Sequence, residues 1–265
     1  MPASDRPRAG DPAARPAPAA TDLTGDNRKI WEASPPAFVD RRVETILELL
    51  PRLGADAKLL DVGCLDGRYT LLYAGKVGTR SIHGVDVSLV ADARARGIDV
   101  AELDLNSGAR LPYPDAHFDV VVSIESLEHI YPTDFVLGEI FRVTKPGGTA
   151  IIDVPRLDSM LNIGLLLFGY QPPGIECSRV RRYGSINDAS VLTGHVAYFT
   201  RRALLEMLRQ TGFRIVEARQ VGQRSGWLML QAAEGRRVGL IARFLWWLYD
   251  GLSPKKEYMV VKVQR

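Results

Sequence analysis

From Val43 the apolar positions fall at helical spacing, Val43, Ile46, Leu47, Leu49 and Leu50, until Pro51 stops the run. This reads as an amphipathic first helix packed beside the first strand. The chain then alternates short continuous apolar runs with helical patterns. "KLLDV" (58–62) predicts a buried strand, "GRYTLLYAGKV" (67–77) a helix, "SIHGVDV" (81–87) a strand, "SLVADARARG" (88–97) a helix and "IDVAELD" (98–104) a third strand. A fourth strand is predicted at "FDVVVSI" (118–124), a helix at "DFVLGEIFRVT" (134–144), a turn at "KPGG" and a fifth strand at "TAIIDVP" (149–155). Strands that are apolar throughout, separated by helices, imply a parallel sheet covered on both faces.

Residues 156–196 break the rhythm with "MLNIGLLLFGY", the turn "QPPG" and the basic stretch "SRVRRYGSINDASVLTGH". A long insertion after a strand's carboxyl end is expected to be a lid or substrate-recognition segment. Alternation returns with "TRRALLEMLRQTG", a helix between a Thr cap and a Gly stop, then the strand "FRIVEARQV" and a last strand at "EYMVVKV". Between those strands, an insertion over 225–256 contains "RRVGLIARFLWWLYDGL", where Val238, Ile241, Leu245, Leu248 and Leu252 share a helix face. Its charged residues make it an amphipathic cover and not a membrane span. Residues 1–27, rich in Pro and Ala, read as a disordered tail without a signal-peptide core, leaving 28–265 as one domain.

Composition narrows the function. A formal net charge of +3 over 265 residues is too weak for a nucleic-acid footprint. Two cysteines, Cys64 and Cys177, have no paired spacing, so neither a disulfide framework nor a metal site is expected, and a cytoplasmic setting fits.

The chemistry gathers at the predicted strand ends. The first strand reaches Asp61 and turns through Gly63 and Gly67, where backbone can approach a ligand. The second ends at Asp86, suited to accept hydrogen bonds from ribose hydroxyls, and the third at Asp104, suited to accept from an exocyclic amine such as adenine's. A dinucleotide fingerprint needs glycine at 63, 65 and 68, but Leu65 and Arg68 stand at two of them, so NAD is disfavoured. An acid-rich rim suits a cationic nucleoside without phosphates, and S-adenosylmethionine is one. Leu65 is expected to sit in an ordinary backbone region, keeping the turn.

The ordered set "LLDVGCLDG", "HGVDVS", "ELDLNSGARLPYPDAHFDVVVSIESLEHI", "RVTKPGGTAIIDVP" and "GHVAYFTRRALLEMLRQTGF" resembles the class I S-adenosylmethionine-dependent methyltransferases, in the branch acting on small molecules and lipids, from about Val43 onward. The resemblance implies a Rossmann-like doubly wound α/β fold: a mostly parallel seven-stranded sheet with an antiparallel last strand and helical lid insertions. It also implies that Asp61, Gly63 and Gly67 hold the methionine end of the cofactor, Asp86 the ribose, and Asp104 with the Leu105 backbone the adenine. Ser123 and Glu125 would close the methionine side.

His195, at the end of the lid, is the first candidate for a general base, and His129 the second. Against catalysis, His129 can be a packing or capping residue, and His195 can tie the lid to the core. The expected activity is methyl transfer to a small molecule, glycan or lipid-linked acceptor, preferably at oxygen. Peripheral membrane contact is the minor alternative for the apolar helices. The rival reading is a catalytically silent cofactor-binding regulatory module, motivated by Leu65 and the apolar insertion.

Overall fold

The structure, a computed structural model, describes residues 39–185, 192–222 and 258–265. The expected tail, the amphipathic insertion at 225–256 and residues 186–191 of the lid lie outside the described residues.

Helix α1 (Arg41–Leu49) starts where the Asp40 carboxylate accepts from the amides of Arg42 and Val43, both at 2.9 Å. Strand β1 (Lys58–Val62), α2 (Arg68–Val77), β2 (Ser81–Asp86), α3 (Val90–Ala95) and β3 (Asp99–Glu102) follow. Next come β4 (Phe118–Ile124), α4 (Thr133–Val143), β5 (Thr144–Pro155) and α5 (Met160–Leu167), then α6 (Arg201–Thr211), β6 (Arg214–Val221) and β7 (Tyr258–Gln264).

The strands form one seven-stranded sheet in the order β3-β2-β1-β4-β5-β7-β6, with β7 antiparallel to both neighbours and the others parallel. From β1 the chain winds outward to β2 and β3, and from β4 it winds the other way. The order therefore reverses between β1 and β4, and a crevice opens at their carboxyl ends.

Both faces of the sheet are covered. Leu60, Val62, Val121 and Ile152 pack with Leu137 and Ile140 of α4 and Leu204 and Leu208 of α6. On the other face Leu59, Val120, Val122 and Val260 pack with Ile46 of α1 and Tyr73 and Val77 of α2. Alternate residues of one strand thus enter opposite cores, which is why these strands are apolar throughout.

Three expectations change. Helix α1 leans on β7 and β6 and not mainly beside β1, because its apolar stripe meets Val221 and Val260. The "KPGG" segment lies within β5, with Gly147 at φ +76° where the β4–β5 register shifts. Strand β3 stops at Glu102, so Asp104 is not a strand end but caps a short 3-10 turn, Leu105–Ser107.

Candidate active site

The loop after β1 is pinned to β2: the amides of Gly63 and Cys64 donate to the Val85 carbonyl at 2.8 and 3.3 Å. Gly63 (φ +91°) is required twice over, since a Cβ there would also stand 2.5 Å from Ser126 Oγ, in the loop after β4. Gly67 (φ +80°) precedes α2, and a Cβ there would strike Ile98.

Leu65 departs from expectation: its φ is +46°, in the left-handed region. The turn needs that conformation to aim the Leu65 amide at Asp86 Oδ2, 2.8 Å away. Left-handed backbone costs a non-glycine residue on the order of 1–3 kcal/mol, offset here by a hydrogen bond to a carboxylate. Leu89 (φ +55°) and Glu125 (φ +48°) adopt it too, so left-handed side-chain-bearing residues follow β1, β2 and β4 alike.

Asp61 is buried, and its Oδ2 accepts from Thr70 Oγ1 at 2.6 Å. Burial pushes its carboxyl up to about 7, against the Thr70 hydrogen bond and with a contribution from the Asp86 charge. Asp86 Oδ1 accepts from the amides of Val87 and Ser88 at 2.8 and 2.7 Å. With Leu65, three of roughly four acceptor positions on that carboxylate are taken by backbone. Burial raises the Asp86 pKa while those amides oppose it.

The Leu103 amide donates to the Asp86 carbonyl at 3.0 Å, joining the next loop to this rim. Asp104 is exposed and accepts from the Asn106 amide at 2.8 Å; Leu105 is partly buried. Asn106 spans to the loop after β4, donating from Nδ2 to the His129 carbonyl at 3.1 Å and accepting from the Tyr131 amide at 2.8 Å.

At the end of β4, Ser123 is fully buried and its Oγ has no hydrogen-bond partner among the described residues. Glu125 forms an ion pair with Arg42 of α1, whose Nη1 also reaches Asp153 Oδ2 at 3.3 Å. Arg42 and Asp153 are not among the sequence candidates, and nothing local in the sequence links positions 42, 125 and 153.

Glu128 is buried, and burial holds its carboxyl well above the usual range. Its backbone carbonyl accepts from the amides of Val196 and Ala197 at 2.7 and 3.1 Å, fastening the end of the 156–196 insertion to the loop after β4. His195 is thereby brought beside His129, their rings edge to face with centroids 4.9 Å apart. Burial lowers both pKa values, that of His195 to about 4. Both rings are therefore neutral at pH 7, and His195 is a weaker base than its sequence position suggests.

A family profile described as a methyltransferase domain matches residues 37–218. A probable S-adenosylmethionine-dependent methyltransferase from Mycolicibacterium smegmatis is 34% identical over 143 residues, 52% of this chain and 53% of that one. The 27-O-demethylrifamycin SV methyltransferase of Amycolatopsis mediterranei is 30% identical over 203 residues, covering 73% and 67%. The chain thus spans about half the length of the first relative. Among solved structures, an S-adenosylmethionine-dependent methyltransferase from Mesorhizobium loti shares the fold with a TM-score of 0.55, at 20% identity over 83% of this chain and 96% of that one. With the sheet order and the glycine loop, the family match establishes that this chain belongs to the class I S-adenosylmethionine-dependent methyltransferases.

Proposed function

We propose that the chain transfers the methyl group of S-adenosylmethionine to an oxygen of a small-molecule acceptor, with glycans and lipid-linked molecules as the wider class. The observation that carries this reading is the rim formed where β1 and β2 end: Asp61 and Asp86 beside a loop held open by Gly63 and the left-handed Leu65. That donor set fits the cofactor, because carboxylates suit its amino group, its sulfonium and its ribose hydroxyls.

When bound, the cofactor supplies a methyl carbon already activated by the sulfonium. The protein's part is alignment and exclusion of water. In this reading Asp61 holds the amino group, the remaining acceptor capacity of Asp86 meets the ribose, and Asp104 with the Leu105 backbone meets adenine. Gly63 and Gly67 admit the methionine end, which Glu125 and the backbone at Ser123 close. His129 and His195 face the acceptor.

Oxygen as the acceptor atom is supported by the rifamycin relative, whose name specifies an O-demethylated substrate. The exposed apolar residues Met160, Leu166, Leu167 and Phe168 on the lid favour an apolar acceptor or peripheral membrane contact. No described helix is long and apolar enough to cross a membrane. The cytoplasmic assignment belongs to the same proposal and rests on the two free cysteines. The silent-module reading loses its motive in Leu65, whose amide helps build the loop.

Calorimetric titration with S-adenosylhomocysteine, followed by an acceptor screen with S-adenosylmethionine, tests the proposal. One-to-one binding and methylated product are expected. Absence of binding would overturn the cofactor site, and binding without transfer to any phenol, sugar or isoprenoid alcohol would favour the silent module.

A further inference from the structure

The cluster Glu128, His129 and His195 does more than close the lid. One ligand-type atom from each lies within 4.8 Å of the others, although the cysteine pattern leads to no expectation of a metal site. Two ligands about 2.1 Å from one cation are at most about 4.2 Å apart, so small side-chain rotations would bring all three into a coordination sphere.

A further observation points the same way. Glu128 Oε2 is buried with no hydrogen-bond partner among the described residues, and a buried carboxyl oxygen needs a compensating partner. The nearby cation Arg42 is engaged by Glu125 and Asp153.

The lid segment is held to suit. Glu176 accepts from Thr193 Oγ1 and the Gly194 amide, both at 3.0 Å, immediately before His195. Gly174 has no room for a side chain, since a Cβ would stand 2.9 Å from His195 Nδ1.

We propose that Glu128, His129 and His195 bind a divalent cation that holds the acceptor's oxygen for methyl transfer. The role assigned to the cation rests on the methyltransferase reading above; the binding site itself does not. Two imidazoles and one carboxylate suit Mn²⁺, Fe²⁺ or Zn²⁺ better than Ca²⁺, and three protein ligands leave positions open for substrate. Bound there, the acceptor hydroxyl releases its proton to solvent, its oxygen bonds to the methyl carbon, and the carbon–sulfur bond breaks with its electron pair remaining on sulfur.

The test uses the full chain, freed of metal with a chelator and titrated with Mn²⁺; Zn²⁺ is a poorer first probe because the exposed Cys177 thiol would compete for it. One equivalent should bind, and Glu128→Gln and His195→Ala should each weaken binding about tenfold or more. Titration with S-adenosylhomocysteine reports whether each variant is folded. Wild-type protein that binds S-adenosylhomocysteine but not Mn²⁺ overturns the cation site and leaves the methyltransferase reading standing. Mn²⁺ binding unchanged in both folded variants places the ion elsewhere and also overturns it. Mn²⁺ binding at these residues without cofactor binding would support the site and remove its assigned role.

Discussion

Asp86 has two tasks in one carboxylate. It accepts amides from Val87 and Ser88 just beyond its own strand end and from Leu65 in the loop after β1. Replacing it with alanine therefore removes the acceptors proposed for the ribose and also frees a loop whose Leu65 is already in a costly conformation. Asp86→Ala should weaken S-adenosylhomocysteine binding by roughly 1–3 kcal/mol. Asp86→Asn, which retains an acceptor oxygen, should lose less. Calorimetric titration of the two variants checks this, and an unchanged Kd in Asp86→Ala would sink the assignment. His195→Ala contrasts with both: it should spare cofactor binding while lowering turnover.

At the scale of elements, the 156–196 insertion, proposed as a lid, is fastened at its end by a few hydrogen bonds. Glu176 grips Thr193 and Gly194, and the Glu128 carbonyl grips Val196 and Ala197. Glu176→Ala should loosen only the first of these, so acceptor KM should rise severalfold while the Kd for S-adenosylhomocysteine stays near wild type. Steady-state kinetics beside titration separates the effects, and equal losses in both would mean that Glu176 supports the whole crevice. The strand–helix alternation was legible because strands buried on both faces are apolar at every position, as Val120, Val121 and Val122 are. Helix α6 was legible from its Thr200 cap and Gly212 stop. The Arg42–Glu125–Asp153 network was not, since it joins α1 to β4 and β5 across positions that carry no local signal. Nor was the left-handed Leu65, whose conformation follows from an acceptor 21 residues away.

For the whole molecule, buried ionisable groups set opposing dependences of stability on pH. Asp61 and Asp153 have carboxyls pushed up to about 7 by burial, so between about pH 4 and 7 the folded chain holds protons that the unfolded chain has released. Stability from these groups falls as pH rises through that window. The lowered histidines His129 and His195 act in the opposite sense: below about pH 6.5 the unfolded chain binds protons that the folded one excludes, so stability falls as pH drops. The wild-type profile is a partial cancellation, and a single substitution isolates one contributor. Asp61→Asn removes a proton-linked group while keeping an acceptor for Thr70. Its stability relative to wild type should therefore rise steadily from about pH 4 to about pH 7 and level off above, as read by urea denaturation at several pH values. A difference that stays constant with pH would show that Asp61 is ionised in the folded chain throughout, with the Thr70 hydroxyl outweighing burial.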